Sequence, residues 1–200
     1  MKSYHISKKM KPNLLYFPLT SLFLFFFGIF HATTAHPSNI IHETCKKCAQ
    51  NDPNLDYIFC VNSLQSIPRS HNASLHQLGI ISINLNLSNV THTRSYIKKL
   101  LKQKMKKNEK LDYDPYKRAC LIDCFDLYSD AVSTLKQAIK DYKSTHYEDA
   151  NFQVTSVMDA STTCEEGFKE KEGVVSPLTK RNNNAFQLSA ISLSIINMVR

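Results

Sequence analysis

Residues 121–142 read LIDCFDLYSDAVSTLKQAIKDY, and their spacing decides the architecture. Leu121, Phe125, Tyr128, Val132, Leu135, Ile139 and Tyr142 recur at intervals of 4, 3, 4, 3, 4 and 3. Apolar residues at that period share one face of an α-helix. Asp123, Asp126, Asp130, Lys136, Lys140 and Asp141 occupy the other faces. Ala150, Val154, Val157, Ser161, Cys164 and Phe168 repeat the pattern downstream. Only Ser144-Thr145-His146 separates the two stripes, so the two helices are expected to lie antiparallel.

A third helix is expected from near Ser74 toward Lys107, burying Leu75, Leu78, Ile81, Leu85, Ile97, Leu100 and Leu101. A fourth is expected after Pro177, with a stripe of Leu188, Ile191, Ile195 and Met198. Proline suits a first helical turn, and Ser176 suits the cap before it. The same stripe explains Ala185–Val199 better than a lipid-anchor signal does. Upstream, Asn39–Gln50 and Asn54–Gln65 read as two short helices joined through Asn51-Asp52-Pro53-Asn54. No run alternates with period two, and no segment repeats. The fold class is therefore all-α: an up-down-up-down four-helix bundle over about residues 74–200, preceded by a helical hairpin over about 37–66.

Composition narrows the rest. The chain has 200 residues with 42% hydrophobic and 21% charged, ordinary globular values for one domain. Four glycines are too few for phosphate-cradling loops or a turn-rich sandwich. Met1–Lys11 carries Lys2, Lys8, Lys9 and Lys11 and no acid. An apolar stretch, Leu14–Phe30, and the small-residue site Ala32-Thr33-Thr34-Ala35 follow. That order describes a secretory signal peptide over residues 1–35, leaving His36–Arg200 as the mature domain. Pro18 interrupts the apolar stretch, which is short for a spanning helix. No membrane association is expected after cleavage, and export makes nucleic acid an unfitting partner for the formal charge of +8. Four of those charges leave with the signal peptide.

An exported chain is expected to use its six cysteines largely in disulfides. Residues equidistant from the turn of an antiparallel hairpin lie level. The midpoint of Cys124 and Cys164 is position 144, in the turn inferred from the stripes. The midpoint of Cys45 and Cys60 falls between Asp52 and Pro53. Turn symmetry thus selects Cys45–Cys60 and Cys124–Cys164 from 15 connectivities. Cys48 and Cys120 remain, either as a third bridge or as free thiols. Asn72, Asn86 and Asn89 head glycosylation sequons.

These features carry a resemblance. Glu43-Thr44-Cys45-Lys46-Lys47 and Phe59-Cys60-Val61-Asn62-Ser63-Leu64 resemble the N-terminal hairpin of the plant invertase/pectin methylesterase inhibitor family. Cys124-Phe125-Asp126-Leu127-Tyr128-Ser129-Asp130-Ala131 and Thr163-Cys164-Glu165-Glu166-Gly167-Phe168 are similar to its second and third bundle helices. Ser176-Pro177-Leu178-Thr179 is similar to the opening of its last helix. The long spacing from Cys45 to Cys60 is similar to the branch that includes plane-tree pollen allergens. The resemblance implies a monomeric protein inhibitor, without cofactor, that blocks the substrate cleft of acid invertase or pectin methylesterase. Text similarity leans toward invertase, acting in the apoplast or the vacuole. It also implies target contacts near the turn between the second and third bundle helices. Invertase-directed members carry Pro-Lys-Phe there. This chain instead reads His146-Tyr147-Glu148-Asp149-Ala150-Asn151-Phe152, and His146, Tyr147, Glu148 and Asp149 are the candidates.

Other chemistry fits less well. Cys45-Lys46-Lys47-Cys48 has dithiol spacing but no strand before it, as a redox motif requires. Zinc on Cys45, Cys48, Cys120 and Cys124 conflicts with the turn symmetry. No serine has a nucleophile context and no histidines have a metal-ligand pattern, so no catalytic or metal site is expected. Arg94–Arg118 holds ten basic residues against Glu109, Asp112 and Asp114. Lys104, Lys106 and Lys107 within it are candidate contacts that would steer the protein to an acidic partner. Two further readings are a bundle carrying an apolar ligand and a structural protein without a target. Large residues on the stripes favour a filled core over a carrier's cavity.

Overall fold

The structure is a computed structural model that describes residues 37–103 and 114–200. The expected signal peptide, and Lys104, Lys106 and Lys107, lie outside the described residues. In chain order the elements are α1 (Pro37–Asn51), α2 (Tyr57–Gln65), a 3₁₀ turn (Pro68–Asn72), α3 (Leu75–Gln103), α4 (Pro115–Lys143), α5 (Tyr147–Lys169) and α6 (Thr179–Val199). No strand occurs among the described residues. Helices α3 to α6 each contact the next, and α6 closes back on α3, which is the expected up-down-up-down bundle.

All six residues of the α5 stripe are buried. On α4 the buried face is shifted from the large-residue stripe. Cys124, Ala131 and Ala138 are buried, while Phe125 and Ile139 are only half-buried. Small side chains let α5 approach closely there, and they carry too little hydrophobicity to register in the spacing. Tyr128, Tyr142 and Phe168 are fully buried and fill the bundle interior. Both expected hairpin bridges are present, Cys45–Cys60 with Cα atoms 5.7 Å apart and Cys124–Cys164 at 5.0 Å. Each contributes about 3–4 kcal/mol by restricting the unfolded chain.

The hairpin does not stand apart. Ile41, Cys45, Cys48, Cys60 and Leu64 form a second core with Leu78 and Ile81 of α3 and Leu188, Ile191 and Ile195 of α6. The stripe legible on α6 therefore faces the hairpin. The opposite side, toward the bundle, is made of Asn182, Ala185, Ser189 and Ile196, all buried. Gln187 of α6 clamps the hairpin turn, donating to the Asn54 carbonyl at 2.7 Å and accepting from the Asp56 N–H at 2.9 Å.

Two helix starts differ from expectation. Helix α2 begins at Tyr57 because the Asp56 carboxylate caps it, accepting from the N–H groups of Ile58 and Phe59. Helix α6 begins at Thr179 rather than after Ser176. Leu178, fully buried, turns the chain into the core first, and Ser176 Oγ accepts from its N–H at 3.1 Å.

A third bridge is absent: Cys48 and Cys120 are free thiols. Cys48 belongs to the hairpin core. Cys120 belongs to the bundle core and donates to the Gly167 carbonyl of α5 at 3.3 Å. The two thiols lie in separate clusters, toward opposite ends of α6.

Candidate functional site

The α4–α5 turn is built as a rigid corner. Thr145 adopts a left-handed φ of 62°, and the His146 N–H returns to the Asp141 carbonyl at 2.9 Å. The Asp141 carboxylate accepts from Gln137 Nε2 at 3.0 Å and Gln153 Nε2 at 2.8 Å, tying both helices to the turn. Beneath it, the His76 and Tyr142 rings stack at 4.8 Å. Tyr147 meets Tyr142 edge-on at 5.3 Å and His76 at 6.4 Å. Burial first, and the neighbouring Tyr147 second, push the Tyr142 phenol above the usual tyrosine range. It therefore stays a neutral donor, to the His76 carbonyl at 3.1 Å.

This platform separates the four candidates of the turn. His146, Glu148 and Asp149 are exposed. Tyr147 is half-buried in the aromatic cluster and supports the turn from below. Glu148 and Asp149 occupy the first turn of α5, where the helix dipole favours negative charge. Arg200 lies 4.0 Å from Glu148, and both are exposed, so this pair adds little.

Phe152 is the residue that the spacing alone passed over. Its side chain is 76% exposed, one turn along α5 from Glu148. An aromatic of that size in water is a common anchor for protein recognition. A large aromatic off the apolar stripe was the available signal. Together the corner offers an exposed apolar knob one turn from two carboxylates, with an exposed imidazole at the turn itself. That suits insertion into a partner, and it assembles no nucleophile and base. No group of three metal-ligating side chains occurs among the described residues.

The sequons divide as well. Asn72 is exposed at the end of the 3₁₀ turn. Asn86 is fully buried, and its Nδ2 donates to Ser189 Oγ at 2.8 Å across the α3–α6 seam. Asn86 thus lies inside the folded seam, whereas Asn72 is open to solvent. Asn89 is half-buried, with its Oδ1 inside.

A second polar cluster stitches the bundle. Tyr128 Oη donates to Asn182 Oδ1 at 2.7 Å, and Asn182 Nδ2 donates to Glu165 Oε2 at 2.7 Å. Thr179 Oγ1 donates to the other Glu165 oxygen at 2.7 Å. Burial raises the Tyr128 phenol, reinforced by the charge of Glu165. The carboxylate is spent on structure, on the floor of an open groove between α5 and α6.

Comparisons with known proteins agree with this fold. The profile described as plant invertase/pectin methylesterase inhibitor matches residues 39–195. A protein of Platanus acerifolia named "Putative invertase inhibitor" is 44% identical over 90% of this chain and 96% of its own. Pectinesterase inhibitor 12 of Arabidopsis thaliana is 32% identical over 88% of this chain and 97% of its own. The crystal structure of a mutant form of a pectin methylesterase inhibitor from Arabidopsis superimposes with a TM-score of 0.62 at 22% identity. It covers 77% of this chain and 93% of that one, and shows the same fold.

Proposed function

The chain belongs to the plant invertase/pectin methylesterase inhibitor family, and on that premise we propose that it inhibits acid invertase in the apoplast or vacuole, docking through its α4–α5 corner. The family is one of inhibitors of plant carbohydrate-active enzymes, and the chain is not an enzyme. Exposed Phe152, one turn along α5 from exposed Glu148 and Asp149, is the observation that carries the docking reading. A protein inhibitor needs a preorganised projection that loses little freedom on binding, and the Asp141 and Tyr142 contacts supply that. Identity of 44% to a protein named for invertase, against 32% to one named for pectinesterase, favours invertase as the target. The leader text of residues 1–35 supports export.

The test is side-by-side inhibition of purified acid invertase and pectin methylesterase by the recombinant mature chain. Invertase is expected to be inhibited, with potency falling at least about tenfold in Phe152→Ala, as for a central aromatic anchor. Inhibition of pectin methylesterase alone would replace the target. Inhibition of neither would end the functional reading and leave the fold standing.

A further inference from the structure

Helix α3 contains no aspartate or glutamate in its 29 residues. Its second half carries Arg94, Lys98 and Lys102 at successive intervals of four, with Lys99 beside them. Residues four apart stack on one face of a helix, so the three form a row along its axis. Lys98, Lys99 and Lys102 are exposed, and none of the four makes an ion pair with a described residue.

Neighbouring acids do not neutralise this surface. Asp114 is engaged by Lys171 at 3.2 Å, and no described carboxylate pairs with the row. A helix C-terminus favours nearby cations, but only within its last turn. That accounts for Lys102 and leaves Lys98, Lys99 and Arg94 without a structural reason to cluster.

We propose that the Arg94–Lys98–Lys99–Lys102 face of α3 binds a linear polycarboxylate polysaccharide, a polyuronate of the plant cell wall. A row of cations along one face of a helix, paired with no described residue, matches a chain carrying carboxylates at regular intervals better than it matches a compact partner. The proposal rests on the functional reading only for placing the protein beside wall polymer. The row lies about 33 Å along α3 from His76 at the docking corner, at 1.5 Å per residue. The two surfaces can therefore be occupied at once, and the polymer would hold the inhibitor at the wall with Phe152 free for an enzyme.

Binding of the recombinant mature chain to polygalacturonate and to fully methyl-esterified pectin, without any enzyme, tests this. Polygalacturonate is expected to bind and the neutral ester not to. Raising salt from about 20 to about 200 mM is expected to weaken binding about tenfold or more as screening increases. The triple variant Lys98→Glu, Lys99→Glu, Lys102→Glu is expected to lose at least about tenfold in polymer affinity, with enzyme inhibition unchanged. The milder Lys98→Gln, Lys99→Gln, Lys102→Gln variant is expected to show an intermediate loss and guards against misfolding of the reversal. Equal binding of both polymers, or unchanged affinity in the two variants, would overturn the proposal. Loss of enzyme inhibition in variants that still bind polymer would overturn it too, by assigning the row to an acidic enzyme surface. Failure to inhibit any enzyme while polygalacturonate binding persists would count against the docking corner alone.

Discussion

Gly79 of α3 sits directly against the phenol of Tyr142 on α4, and a Cβ at position 79 would overlap the tyrosine hydroxyl. The absent side chain lets Tyr142 reach the His76 carbonyl and carry the aromatic base of the α4–α5 corner. Ile195 of α6 closes the same space, so the ring has little freedom to retreat.

Gly79→Ala is expected to cost about 1–3 kcal/mol through overpacking. Tyr142→Phe should cost about 1 kcal/mol for the lost hydrogen bond. Because the two groups touch, the double variant should be less destabilised than the sum. Thermal denaturation of the four proteins measures this, and a Gly79→Ala protein as stable as wild type would contradict the contact.

Replacing Cys124 and Cys164 with alanine is expected to cost about 2–5 kcal/mol. The loss should exceed that for the Cys45 and Cys60 pair, whose loop of 15 residues is shorter than the 40 between Cys124 and Cys164. Denaturant titration of the two double variants gives the order, and the reverse order would count against the loop argument.

Burial pushes the Cys48 thiol up to about 11, against weaker opposing hydrogen bonds from Ser194 and its own backbone. Burial also raises Cys120. Two thiols should react with a thiol reagent only slowly in the native protein and at once after unfolding. The sign of the pH dependence follows. An unfolded chain releases the Cys48 proton near its ordinary value, while the folded chain holds it. Stability is therefore full below about pH 9 and falls between about pH 9 and pH 11, by about 1.4 kcal/mol per unit of separation. Cys48→Ala should flatten that alkaline decline, as read by denaturation at several pH values.

Glycopeptide mapping of the exported protein is expected to find a glycan on Asn72 and none on Asn86. An occupied Asn86 would mean that the hydrogen bond to Ser189, and with it the α3–α6 seam, is misplaced.

How much was legible depends on side-chain size. The α5 stripe and both disulfides could be read because period and turn symmetry are properties of the chain's own spacing. The bundle-facing side of α6 could not, because Asn182, Ala185 and Ser189 look like a polar surface until Tyr128 and Asn86 are placed opposite them. In the same way, Phe152 was visible as an aromatic outside the stripe, but its exposure needed the corner to be folded.

The sequence by itself determined the number and direction of the long helices and the two sulfur bridges. Those depend on contacts between residues close to a shared turn, whose separation along the chain fixes which positions come level. Only the tertiary structure decided that the hairpin packs on α6, that Asn86 is inside, and that Cys48 and Cys120 stay apart. Those outcomes depend on which face each helix turns toward a partner distant in sequence, and helix rotation is set by the packing of all the neighbours together.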